Sequence, residues 1–80
     1  MKPKLNIVEV DKQIQTVNAR YAKGYEGTLD FNFGYITALK AHKLISARDY
    51  ENLLLVHASP KNEDCRYSIS KSGKLIDYES

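Results

Sequence analysis

The sequence predicts a small α+β domain: a central αα-hairpin at about residues 33–58, preceded by an amphipathic helix at about 11–23 and followed by a β-hairpin at about 65–78. Three observations carry this. Residues 35–58 hold eight of the eighteen Ile, Leu and Val side chains at helical spacing, broken by a corner at Leu44-Ile45-Ser46. Residues 12–23 contain neither Gly nor Pro. The segment from Cys65 to Tyr78 alternates apolar and polar residues on both sides of Ser72-Gly73.

Residues 4–10 are open between a third short strand and a first helical turn, since Ile7, Val8 and Val10 suit either. From Asp11, an expected N-cap, the helix reading prevails, with Gly24 as its terminator. Val10, Ile14, Val17 and Tyr21 form its apolar stripe, while Lys12, Thr16, Arg20 and Lys23 make a basic outer face. Residues 24–27 read as a loop. Residues 28–35 alternate like a strand, and the competing reading is an extended lead-in to the next helix with Asp30 or Asn32 as its cap. The lead-in is favoured from Asn32 onward, and residues 29–31 stay open.

In the hairpin's first helix, about 33–43, Tyr35, Ile36, Leu39 and His42 share the inward face. Ser46 then caps the second helix, with Asp49 three residues on in a capping-box spacing and Ile45 just before. That helix turns Tyr50, Leu53, Leu54 and His57 inward and leaves Leu55 and Val56 on another side. Ser59-Pro60 ends it. Residues 61–64 are a polar loop. In the β-hairpin Gly73 takes the left-handed position, and Cys65, Tyr67, Ile69 and Leu75 line the inner face.

Eighty residues make one domain, and a core of this size contributes only about 3–5 kcal/mol of net stability. A partner or self-association is natural support. No apolar run nears the roughly 18 residues of a membrane span, so no membrane is expected as a partner. The single cysteine cannot form an internal disulfide, which points to a reducing, cytoplasmic setting. A net charge of +2 is too small to announce nucleic-acid binding.

The helical hairpin invites a DNA-reading interpretation, but its second helix exposes Arg48, Asp49, Glu51 and Asn52, a net acidic set. Non-specific nucleic-acid binding is the alternative of more substance. It would use Lys12, Arg20, Lys23 and Lys40, joined by Lys43, with Tyr21 and Tyr25 for stacking. His42, His57 and Cys65 lack the paired spacing and fourth ligand that zinc requires, so no metal is expected. Cys65 has Arg66 beside it but no base, and reads as a small buried hydrophobe rather than a nucleophile. No phosphate loop or carboxylate pair appears, so the chain is not expected to be an enzyme or to hold a cofactor or small-molecule substrate.

What remains is contact area. Six tyrosines and no tryptophan, with Leu55 and Val56 off the hairpin's own seam, suit a protein–protein surface. Tyr25, between two glycines, and Tyr21 join Leu55 and Val56 as its candidate residues. The expected function is a cytoplasmic interaction module that binds and modulates, or inhibits, a larger protein. Phages and mobile elements encode small accessory proteins of this kind. A homodimer through Leu55 and Val56 is a further alternative.

Overall fold

The computed structural model describes residues 4–21 and 25–79. Its elements run in order as α1 (Ile7–Tyr21), α2 (Tyr25–Ala41), α3 (Ala47–His57), a 3₁₀ turn (Pro60–Asn62), β1 (Tyr67–Ile69) and β2 (Leu75–Asp77). The three helices and the terminal antiparallel hairpin make an α+β fold, as the sequence predicts. Lys23 and the expected terminator Gly24 lie outside the described residues, as does the side chain of Tyr25.

The first helix starts five residues earlier than the cap reading places it. Asn6, not Asp11, is the cap: its Oδ1 accepts from Val8 N at 2.7 Å, and its carbonyl accepts from Val10 N. Residues 7–10 are therefore helical rather than a third strand. The spacing of Ile7, Val10 and Ile14 decides this, because a helix buries all three on one face and a strand would split them. Asp11 falls in the second turn, facing inward. Tyr21, expected in the stripe, ends the helix 68% exposed.

The larger departure is α2, which is helical over residues 25–27 of the expected loop and replaces the expected lead-in or strand at 28–33. Asn32, Ile36 and Leu39 recur at helical spacing, and all three are buried. The alternation of Leu29, Phe31 and Phe33 is a by-product, with the two phenylalanines standing exposed on either side of buried Asn32. The helix ends in a Schellman arrangement. Lys43 takes a left-handed conformation (φ 59°), Lys43 N donates to Lys40 O, and Leu44 N donates to Leu39 O. The chain thus leaves the helical path at residue 42. His42, expected on the inward face, is exposed.

Helix α3 follows the sequence reading. Ser46 Oγ accepts from Asp49 N at 3.1 Å, and Ile45 beneath the corner is 4% exposed. Leu5 N bonds Leu44 O, tying the chain's start to this corner. The core gathers Ile7, Val10 and Ile14 of α1, Ile36 and Leu39 of α2, Ile45, and Leu53 of α3.

After α3, Ser59 caps the Pro60–Asn62 turn, and Cys65 adopts a left-handed backbone (φ 58°) that redirects the chain into β1. Cys65 is exposed, not the buried inner-face residue that strand alternation implies, because it precedes the ladder. The register pairs Tyr67 with Asp77 and Ile69 with Leu75. Arg66 grips Asp77 with two bonds of 2.9 and 3.1 Å, and its guanidinium lies over the Tyr67 ring.

Gly73 has φ +85°, as the loop demands, and a Cβ there would sit 2.9 Å from Cγ2 of Ile7. Both the strained backbone and the clash with the core count against any side chain. Gly73→Ala is expected to lower stability by about 1–2 kcal/mol. Urea denaturation measures this, and an unchanged midpoint would show that hairpin and α1 are not in contact in solution.

Candidate interaction surface

The exposed apolar surface centres on α2, whose 17 residues include only three charged ones, Glu26, Asp30 and Lys40. Such a helix is apolar around most of its circumference, and the fold covers only one side of it. Phe31 is 55% exposed and Phe33 51%. Phe31 stacks on Tyr35 with ring centroids 6.5 Å apart, and Tyr35 in turn donates from its hydroxyl to Gln13 of α1. Phe33 stands on the α3 side.

Between Phe33 and α3 runs an open groove of about 380 Å³ lined by Phe33, Leu54, Leu55, Ala58 and Pro60. Glu51 and Lys61 stand at its edges with opposite charges. Leu55, expected to be spare on α3, is part of this wall. Val56 is not: it is half-buried, and its carbonyl is held by Asn62 Nδ2 at 2.7 Å. The two neighbouring residues point about 100° apart on the helix, so only one reaches the groove. Tyr21, at the end of α1, is exposed and lines no part of it. Tyr25 opens α2 rather than capping a free loop.

The basic residues are less gathered. Lys12 and Arg20 lie on the exposed face of α1, whereas Lys40 is exposed on α2. A broader depression near the N-terminus, lined by Lys4, Asn6, Asp49, Lys71 and Ser72 among others, mixes both charge signs.

Inside the helices is a polar cluster that sequence spacing did not announce. His57 Nε2 donates to Asp11 Oδ1 at 2.5 Å, and the two side chains are 8% and 7% exposed. Gln15 Nε2 donates to the other carboxylate oxygen at 3.0 Å, and Asn32 Nδ2 donates to His57 O at 2.8 Å. Burial pushes the His57 pKa below its ordinary value, with the Asp11 hydrogen bond and charge opposing it. Cys65 is exposed and lies outside this buried cluster. The arrangement joins α1, α2 and α3. His42, expected to face inward like His57, is exposed and no part of this cluster, and among the described residues no group of His, Cys, Asp and Glu is placed to hold a metal ion. Among those residues, too, no helix is long and apolar enough to cross a membrane.

Comparison of the chain with protein-family models, with characterised proteins and with solved structures finds no match in any of the three.

Proposed function

We propose that this protein is a small interaction module that binds a larger protein through the groove between α2 and α3 and modulates it by occupying that surface. The observation that supports this reading is the groove itself. Phe33, half exposed, faces Leu54, Leu55 and Ala58 across an open channel, with no segment of the described chain seated in it. Aromatic and aliphatic side chains bordered by Glu51 and Lys61 match the apolar centre and polar rim of protein contacts. The partner's complementary segment would present an apolar ridge flanked by one charge of each sign. The setting we propose is cytoplasmic, where the exposed thiol of Cys65 stays reduced. Nucleic-acid binding has less in its favour, because Lys12 and Arg20 are on α1 and Lys40 is on α2, and a net charge of +2 is small.

Affinity capture from the native host tests this, using the wild-type protein and the Phe33→Glu, Leu55→Asp and Lys12→Glu variants, each first shown to be folded by circular dichroism. A specific partner is expected to be held by the wild type and by Lys12→Glu. Recovery should fall about tenfold or more with either groove substitution. Equal recovery with all four proteins would remove the groove as the binding site.

A further inference from the structure

Two walls of the groove are continuous in sequence with the buried polar cluster. Phe33, on the α2 wall, directly follows Asn32, and Ala58, on the α3 wall, directly follows His57. Asn32 Nδ2 donates to His57 O, and His57 Nε2 donates to Asp11 of α1. We propose that these bonds make the groove acid-sensitive: a proton taken up by His57 shifts the last turn of α3 against α2 and lowers the groove's affinity for its partner. This rests on the groove reading and adds a regulation to it.

The link between cluster and groove is a single bond. His57 is the last residue of α3, so its carbonyl belongs to the final turn, where carbonyls have no partner within the helix. Asn32 supplies the missing donor from α2 at 2.8 Å. The same amide thus caps α3 and sets its spacing from α2 beside Phe33 and Ala58. Asn32 is 1% exposed, and its Oδ1 meets no donor among the described residues. No second hydrogen bond there would hold the amide in place if His57 moved.

The acceptor of that bond is also the residue that takes the proton. The His57 side chain is 8% exposed, and Asp11 is the charged group that acts on it from α1. From α2 it meets neutral Asn32. Among the described residues no charged group of α3, the 3₁₀ turn or the hairpin acts on it. Burial opposes the charged imidazole more than Asp11 favours it, which places the folded pKa below 6.5. A charged ring is therefore better accommodated nearer water, and its movement carries the His57 backbone away from Asn32. By linkage, a partner that fits only the uncharged arrangement binds about tenfold less for each pH unit below the folded pKa. Above it the affinity is constant.

An NMR titration of the free protein from pH 7.5 to 5 tests the coupling. The backbone amide signals of Phe33, Leu55 and Ala58 are expected to move together, with the midpoint of the His57 ring signal and below pH 6.5. In His57→Gln the same amides should stay still. That variant keeps Glu51 and Lys61 at the groove's edges and the exposed His42, so it separates their effects from those of His57. In Asn32→Ala the His57 ring should titrate without the groove following. Circular dichroism verifies folding, and if Asn32→Ala does not fold, the comparison with His57→Gln decides. Groove amides that are flat in the wild type, or that move equally in His57→Gln, overturn the proposal. Affinity capture at pH 7.5 and at one pH unit below the measured midpoint reads the consequence. Recovery of the partner by the wild type should fall about tenfold, and recovery by His57→Gln should be the same at both. Equal recovery by the wild type at both pH values also overturns the coupling. Absence of any partner at pH 7.5 would instead sink the groove reading, with the NMR titration deciding the coupling by itself.

Discussion

Asn62→Ala is expected to lower the unfolding free energy by about 3 kcal/mol, a large part of what so small a domain has. The side chain is 7% exposed and makes three bonds to backbone. Its Nδ2 donates to Val56 O at 2.7 Å and to Tyr67 O at 3.1 Å, while its Oδ1 accepts from Tyr67 N at 2.6 Å. One amide therefore closes the end of α3 onto the start of β1. Alanine would leave three backbone groups without their partner, each costing about 1 kcal/mol or more unless water enters. Asn62→Asp makes the test specific. A carboxylate keeps the bond from Tyr67 N but turns an oxygen toward two carbonyls, so it should destabilise at least as much as alanine. Guanidinium denaturation measures both. If Asn62→Asp were as stable as the wild type, the amide would not be donating to those carbonyls, and the hairpin would be held by its packing on the helices, through Ile69 and the Gly73 loop against Ile7.

The contrast between Asn62 and Ser46 explains how much of this fold the sequence discloses. Ser46, Pro60 and Gly73 act on backbone within three or four residues, so their type and position are enough to place α3, its end and the hairpin loop. Asn62 has the appearance of any polar loop residue, and its importance comes from Tyr67 and Val56 being folded back onto it. The α2 helix was hidden for a related reason. Its glycines lower helical propensity, and Leu29, Phe31 and Phe33 imitate strand alternation. Burial of Asn32, Ile36 and Leu39 against the other helices overrides that local signal.

The candidate surface was half legible on the same grounds. Leu55 stood out because α3's own periodicity leaves it off the inward face. Phe33, its counterpart across the groove, did not, because a lead-in segment would have packed it on the core. Likewise His42 seemed inward only while α2 was taken to continue past residue 41. The Schellman turn at Lys43 places it outside.

Acid should destabilise this protein, and the buried pair of Asp11 and His57 should be the main reason above pH 5. In the unfolded chain the imidazole has an ordinary pKa of 6.5, and in the folded protein burial lowers it. Between those two values the unfolded chain holds a proton that the folded protein does not. The pair's contribution is therefore complete above about pH 6.5 and shrinks as pH falls from there toward the folded pKa. The slope reaches about 1.4 kcal/mol per pH unit for one proton. His57→Gln removes the titrating group, so it should be less stable at neutral pH but flatter between pH 7 and 5. Asp11→Asn acts in the opposite sense: with no carboxylate to attract a proton onto the imidazole, the folded pKa drops further and the acid loss extends lower. Asp11→Ala leaves the His57 N–H and the Gln15 amide without their acceptor and should cost about 2 kcal/mol at pH 7. Urea titrations of the wild type and these variants from pH 5 to 8 measure all three effects. Parallel profiles for the wild type and His57→Gln would assign the acid sensitivity to other groups. The pair spans 46 residues of sequence and joins α1 to the last turn of α3. The opening it controls is thus the separation of α1 from the α2–α3 hairpin, and acid should release α1 first.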